Sequence, residues 1–306
     1  MLAGGHDPES GRAGSPGTPL AVDTSVTRPG RTIRTTVELV EGRGSDVASG
    51  IRVDGARVLI TGAGSGIGLV MARTFMDAGA KVHICDLSQE TLDKAKASLP
   101  GLTGSIADVG AESDVDKLFL DVAASLGGLD VLINNAGNAG PTANVEDVSL
   151  PDWNRTLDVC ITGMFLSTRR AVPMLKASGH GSIVNLSSAA GRFGFAMRSP
   201  YAAAKWAVVG FTKSISMELG PFDINVNAIQ PGLVAGDRQT SVIAAKAAAK
   251  GITPEQQRAD LLRHVSMQRM VTQQEIADMA LYLSSPVGHG VSGQAISVCA
   301  DQTALI

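Results

Sequence analysis

From residue 57 onward, short runs of β-branched and aliphatic residues alternate with longer stretches whose apolar positions recur at helical spacing. Arg57 to Thr61 (RVLIT), Lys81 to Cys85 (KVHIC), Leu102 to Ala107, Val131 to Asn134, Ser182 to Leu186 and Ile224 to Ile229 predict buried strands. The intervening stretches predict helices, among them Ile67 to Ala78, Trp153 to Leu175, Tyr201 to Leu219 and Gln274 to Leu283, and Ser297 to Cys299 offers one more strand. This alternation predicts an α/β fold, a Rossmann-type doubly wound parallel sheet of about seven strands with helices on both faces.

The first fifty residues follow another pattern. Met1 to Gly30 is dominated by Gly, Pro, Ser and Thr and predicts a disordered segment. Arg31 to Val40 (RTIRTTVELV) alternates enough to predict a short edge strand, which Glu41-Gly42-Arg43-Gly44-Ser45 then breaks. Residues 1–50 therefore read as a disordered or weakly structured extension, and 51–306 as one domain. The extension has no apolar h-region, and Asp7 and Glu9 argue against an organelle transit peptide.

Composition narrows the partners. A net charge of -3 with 18% charged residues gives no basic field for nucleic acid, so the expected partner is a small molecule. Cys85, Cys160 and Cys299 are widely spaced, which makes neither a disulfide framework nor a zinc site and suits a reducing compartment, the cytoplasm. No run approaches the roughly 20 apolar residues of a membrane span.

The chemistry begins at Thr61-Gly62-Ala63-Gly64-Ser65-Gly66-Ile67-Gly68, between a predicted strand and a predicted helix. In that context Gly62 permits a tight turn, Gly66 lets the backbone approach a pyrophosphate, and Gly68 lets the helix pack close to the strand. The helix N-terminus supplies N–H donors and positive dipole. Asp86 follows at the end of the second strand, where a carboxylate accepts hydrogen bonds from a ribose 2′-hydroxyl and repels a 2′-phosphate. Together with the neutral Ser65, it points to NAD. A plainer reading makes Asp86 a cap for the helix after Ser88.

Ser188, Tyr201 and Lys205 form the second constellation. Ser199-Pro200 reads as a helix start, so Tyr201 and Lys205 project from one helix face. A cation one turn away favours a phenolate and equips the phenol to exchange a proton with an alcohol or carbonyl. Singly, each residue has a structural alternative: Ser188 as a turn cap, Tyr201 as a core aromatic, Lys205 as a solvated helix residue. Jointly, at this spacing, they point to an oxidoreductase.

From about Ile51 to Ile306 the chain resembles the short-chain dehydrogenase/reductase family. The resemblance rests on the glycine loop, Asn134-Asn135-Ala136-Gly137, Ser188 with Tyr201-x-x-x-Lys205, and the Pro231-Gly232 turn. It implies that Asp108 and Val109 hold the adenine, that Asn135, Ala136 and Gly137 line the cofactor channel, and that the turn through Val234 meets the nicotinamide carboxamide. It further implies that Tyr201 is the general acid/base, that Ser188 bonds the reacting oxygen, and that Lys205 assists both the tyrosine and the nicotinamide ribose. The helices Trp153 to Leu175 and Tyr201 to Leu219 would form the main contact of a homo-oligomer, a tetramer or dimer.

Three positions depart from the family pattern. Cys160 stands where asparagine is usual, Gly236 where threonine is common, and Val298-Cys299-Ala300-Asp301 replaces V-D-G-G. The segment 235–267 resembles the flap that covers substrate in this family, and Arg192, Arg198 and Arg238 flank the expected pocket. Guanidinium groups pair bidentately with carboxylates, so a small anionic hydroxy acid or sugar acid is the expected substrate of a secondary-alcohol dehydrogenase. A 3-oxoacyl-thioester reductase is the alternative within enzymes. A cofactor-binding regulatory protein that has lost its chemistry is the alternative outside them.

Overall fold

The computed structural model describes residues 21–28, 31–38 and 50–305. Two compact units result, Met1–Gly50 and Ile51–Ile306. In the first, β1 (Ala21–Arg28) and β2 (Arg31–Glu38) pair antiparallel with Arg28 opposite Arg31. This corrects the sequence reading, which has no structure before Gly30 and a single strand after it. The missed signal is the alternation Val22, Thr24, Val26 ahead of a Pro-Gly turn dipeptide. The rest of the expected disordered segment lies outside the described residues.

The second unit carries seven parallel strands in the order β5-β4-β3-β6-β7-β8-β9. They are β3 (Arg57–Thr61), β4 (Lys81–Asp86), β5 (Thr103–Ile106), β6 (Val131–Asn134), β7 (Gly181–Leu186), β8 (Ile224–Pro231) and β9 (Ala295–Val298). The chain leaves β3 toward β5 and then returns to β6 on the other side of β3. That reversal is the topological switch point, where a crevice opens beyond the strand ends. Burial on both faces explains why β6, β7 and β8 are buried throughout.

One face is covered by α3 (Glu112–Leu126), α5 (Gly163–Ser178) and α6 (Ser199–Leu219), which meet the sheet through residues such as Leu118, Val122, Leu166, Leu175 and Ile215. On the other, α1 (Gly66–Asp77) packs against α9 (Gln273–Leu283). Here α2 (Gln89–Ser98) joins β4 to β5, and α7 (Asp237–Lys250) and α8 (Pro254–Leu262) form the segment expected to be the flap. The single helix expected from Trp153 to Leu175 is broken: α4 (Leu150–Leu157) passes through a π turn at Asp158–Thr162 before α5. That wider turn sets Cys160 inward, fully buried.

Two polar clusters fix neighbouring strands. Arg57 grips Asp130 with its main-chain N–H and two guanidinium nitrogens at 2.7–2.9 Å, joining the starts of β3 and β6. Burial alone would raise the Asp130 carboxyl, but the bonds from Arg57 and Ser178 outweigh it and hold it at about 2. On β4, His83 is buried with Nδ1 at 2.9 Å from both Thr103 Oγ1 and Ser125 Oγ, and Nε2 at 3.0 Å from Ser105 Oγ. Desolvation lowers this imidazole to about 4, against the attraction of Asp121.

The lowered value has a stability consequence. An unfolded chain binds the proton near pH 6.5 while the folded imidazole stays neutral to about 4, so stability present above 6.5 is lost as the pH falls through that window. His83→Gln removes this term. Its urea midpoint should fall less between pH 7 and pH 4.5 than the parent's, and equal falls in both proteins would contradict the assignment.

Candidate active site

The crevice is built from the switch point outward. Thr61 Oγ1 accepts the main-chain N–H groups of Asn135 and Ala136, each at 3.1 Å, and the Asn135 amide donates to the carbonyls of Thr61 (2.9 Å) and Gly62 (2.8 Å). Gly62 has φ +60°, and a Cβ there would lie 2.7 Å from Ala136 Cα, so both conformation and contact require glycine. Gly66 has φ +58°, and a Cβ on it would meet nothing within 4 Å. Its backbone faces open space at the start of α1, where Ser65 makes no side-chain cap and the first turn has no acid. Such an end offers N–H groups and positive dipole to an anion.

Asp86 closes the loop from β4. Its Oδ2 accepts the Gly64 N–H at 2.9 Å and its Oδ1 the Leu87 N–H at 2.8 Å. The capping alternative falls away, because the Ser88 hydroxyl caps α2 by accepting the Thr91 N–H at 3.3 Å. Asp86 instead borders a cavity of about 1000 Å³ that runs from Leu87, Asp108 and Val109 past the glycine loop to Ser188 and Tyr201. Asp108 accepts the Gly110 N–H and pairs with Arg155 Nη1 at 2.8 Å. Arg155 also lines the crevice, a member the sequence reading missed because it comes from α4, far from any motif.

Ser188, Tyr201 and Lys205 all border this cavity, as do Gly62, Ser65, Gly66, Ile67, Gly68, Asn135, Ala136, Gly137, Pro231, Gly232 and Val234. The Lys205 ammonium is buried, donates to Leu186 O at 2.8 Å, and lies 5.6 Å from the centre of the Tyr201 ring. Ser188 does cap the turn Ala189–Gly191, accepting the Ala190 N–H at 3.1 Å, so it has both a structural bond and a place in the crevice. That turn lies close against α6: Ser187 Oγ donates to Lys205 O at 2.8 Å, and Gly191 approaches so near that a Cβ on it would lie 2.5 Å from the same oxygen. The serine and the tyrosine thus sit on elements packed directly together.

Beside them, the Cys160 thiol donates to Asn138 O at 3.5 Å. A Cβ on Gly137 would lie 3.5 Å from Lys205 Nζ and 3.7 Å from Cys160 Sγ, so the unusual cysteine stands within the lysine's surroundings. All three cysteines are unpaired and buried, and burial pushes the Cys85 thiol up to about 12. Among the described residues no group of three or more His, Cys, Asp or Glu is placed to hold a metal ion.

The arginines divide. Arg198 lines the cavity: its Nη2 donates to Ala139 O at 2.5 Å, and its guanidinium carbon lies 5.6 Å from the Tyr201 ring centre. Met197, with φ +60°, turns the chain immediately before it. Arg192 is a correction to the sequence reading. It is exposed, stacks on Phe193 and donates to Ser297 Oγ on β9 at 3.3 Å, outside the cavity lining, because the turn after Ser188 carries it over the sheet edge. The Arg238 side chain lies outside the described residues.

A further stretch was not legible from any motif. Gln302, Ala304 and Leu305 line the cavity together with Val242 of α7 and Leu261 of α8. The only hint was the departure from V-D-G-G just before them.

The comparisons agree with this geometry. The model of the short chain dehydrogenase family matches residues 56–253. A trans-4-hydroxycyclohexanecarboxylate dehydrogenase of Sinomonas cyclohexanicum is 36% identical over 80% of this chain and 92% of its own length. A D-beta-hydroxybutyrate dehydrogenase of Rhizobium meliloti is 32% identical over 80% of this chain and 98% of its own. Among solved structures, an NAD+-bound xylitol dehydrogenase superposes with a TM-score of 0.76 at 28% identity, covering 80% of this chain and 98% of that one. Matches of this extent, on a sheet of this order, show that the chain belongs to the short-chain dehydrogenase family, whose members are oxidoreductases of CH–OH groups.

Proposed function

We propose that the chain is an NAD-dependent dehydrogenase of a small secondary alcohol bearing an anionic group, working reversibly on the matching ketone. The observation that carries the cofactor assignment is Asp86, a carboxylate at the mouth of the cavity whose oxygens also hold the glycine loop and the start of the next turn. The residues fit a dinucleotide: Gly66 and the uncapped start of α1 would take the pyrophosphate, Asp86 the ribose diol, Asp108 and Val109 the adenine, and Lys205 the ribose beside the nicotinamide. When bound, NAD supplies the hydride acceptor.

The side chains supply the proton chemistry. Tyr201 takes the proton from the substrate hydroxyl, or returns it to the carbonyl, with the Arg198 guanidinium carbon and the Lys205 ammonium each 5.6 Å from its ring centre. Ser188 donates to the reacting oxygen, and its bond from Ala190 N–H leaves the hydroxyl proton free to do so. The substrate class rests on Arg198, whose bond to Ala139 O orients the guanidinium at the cavity wall. Two relatives support it, since both are named for hydroxy carboxylates. The thioester alternative is disfavoured by Asp86, because such reductases usually take NADPH and a carboxylate there repels its 2′-phosphate.

The assembly and location belong to the same reading. Phe165 on α5 and Trp206 and Met217 on α6 are 44%, 51% and 81% exposed, which suits a homo-oligomer formed through these helices, a tetramer or dimer. Three buried unpaired cysteines suit the cytoplasm.

Three measurements test the proposal. Calorimetric titration should show NADH binding much more tightly than NADPH, with the gap narrowed in Asp86→Ala; equal affinities in the parent would refute the cofactor assignment. Tyr201→Phe should keep NADH affinity and lower kcat by roughly 10²–10⁴, the usual contribution of an acid/base group. A variant that turns over like the parent would move the chemistry elsewhere, and a parent that binds NADH but oxidises no secondary alcohol would be the lapsed cofactor binder. Arg198→Met should lower kcat/KM for 3-hydroxybutyrate or 4-hydroxycyclohexanecarboxylate by about 1.5–3 kcal/mol, the range of a charge-assisted hydrogen bond. Its effect on a neutral alcohol of similar size should be much smaller; equal losses on both would remove the anion from the substrate class.

A further inference from the structure

The segment Cys299–Leu305 brings Gln302, Ala304 and Leu305 to the cavity wall. After β9 the chain reverses at Ala300 and Asp301, both in the left-handed region with φ +52° and +56°. Beyond the reversal it runs antiparallel to the segment that follows α8, with Val265 paired to Gln302. Met267 and Ser266 donate their main-chain N–H groups to the carbonyls of Ala300 (3.3 Å) and Asp301 (3.1 Å), and Thr303 donates to His264 O (2.8 Å). Ser266 Oγ adds a bond to Asp301 Oδ2 at 2.6 Å. Gln302 is buried beneath, its Nε2 donating to Ala304 O at 2.9 Å.

These bonds place Ala304 and Leu305 on the cavity wall and tie them to the exit of the flap. The flap's entrance is anchored separately, by Ala235 N–H to Val271 O at 2.8 Å and Val271 N–H to Leu233 O at 2.9 Å. The half of the cavity concerned follows from the sheet order. Asp86 and Asp108 belong to β4 and the loop after β5, on one side of the switch point, whereas the segment follows β9 at the opposite edge. It also adjoins the Pro231-Gly232 turn, since a Cβ on Gly232 would lie 2.8 Å from Cys299 Cα. The lining contributed by this segment, α7 and α8 combines Ala304, Leu305, Val242 and Leu261 with Gln239 and Gln302, and the segment stands away from the adenine end.

We infer that Leu305, supported by Ala304, is a specificity-determining residue: it forms the fixed wall of the substrate compartment and limits how much apolar bulk a substrate carries beyond its reacting carbon. This rests on the dehydrogenase reading above and adds to it the class of body the substrate has, compact and apolar. The helices α7 and α8 contribute Val242 and Leu261 to the same cavity.

The test compares the full chain with Leu305→Ala and Leu305→Phe on cyclohexanol, 4-methylcyclohexanol and 4-tert-butylcyclohexanol at saturating NAD. The kcat/KM ratio of the tert-butyl to the unsubstituted alcohol should rise about tenfold in Leu305→Ala and fall in Leu305→Phe, a change on the scale of one or two methylenes in an apolar pocket. NADH affinity should stay within about twofold, since the segment stands on the other half of the sheet. A second arm measures calorimetrically the binding of the same alcohols to the NADH complex, where no hydride can leave the alcohol. Turnover with a size order that neither substitution moves would overturn the inference and leave the dehydrogenase reading intact. A shift of the size order in binding without turnover in any variant would support the wall and, where 4-hydroxycyclohexanecarboxylate is not turned over by the parent either, overturn the dehydrogenase reading. Absence of both binding and turnover with the parent would overturn the inference.

Discussion

The Thr61 hydroxyl, accepting two main-chain N–H groups from Asn135 and Ala136, is the joint to which the working end of the molecule is referred. It ties the end of β3 to the end of β6, the two strands between which the order of the sheet reverses. The Asn135 amide completes the joint by bonding the carbonyls of Thr61 and Gly62. Because these groups are satisfied by one another, the glycine loop is held against Ala136 with no side chain between. The position of Gly66, and with it the start of α1, follows from that packing. A substitution that relaxed the joint would displace the start of α1 without touching Ser188, Tyr201 or Lys205.

A second polar chain performs the same service for the other half of the cavity. The Asn134 amide donates to Thr168 Oγ1 and Asn185 Oδ1 at 3.1 and 2.9 Å, and Asn185 passes the chain to Thr212 Oγ1 at 3.0 Å. All four residues are buried, and they join β6 and β7 to α5 and α6. Buried polar networks of this kind specify a unique arrangement, because a slipped register would strand several donors at once. Here the register they fix is the one that sets Ser188, after β7, against the first turns of α6. Asn134 Oδ1 remains without a partner in this network, the one unsatisfied atom in an otherwise matched chain.

Much of this was legible from residues alone, and the reasons differ by element. The buried strands were found because parallel strands covered on both faces read as continuous apolar runs. The glycine loop, Asp86, Ser188, Tyr201 and Lys205 were legible because close backbone approach, a carboxylate at a strand end and a cation one turn from a phenol each demand a residue type at a spacing. The π turn at Asp158–Thr162 was not, since one extra residue in a helix leaves the apolar pattern almost unchanged. Arg192 was misplaced because proximity in sequence to Ser188 says nothing of the direction in which a turn throws a side chain. Arg155 and Leu305 escaped because tertiary packing alone brings them to the cavity.

The segment after β9 shows how a local disadvantage can serve the site. Two consecutive residues with a Cβ in the left-handed region carry strain of about 1–2 kcal/mol each, somewhat less for aspartate, which tolerates that region better than alanine. Glycine would remove the strain, and it is the residue found at this point of the family pattern. Against the strain stand three main-chain bonds to the segment after α8 and the Ser266–Asp301 bond, each contributing about 0.5–1.5 kcal/mol net. The two sides are of the same size, so the turn is held by its contacts and not by its own preference. Alanine and aspartate also narrow the conformations open to the unfolded segment, which glycine would widen. A wall that must not give way when an apolar body presses on Leu305 is better made from such an over-determined turn than from a free one.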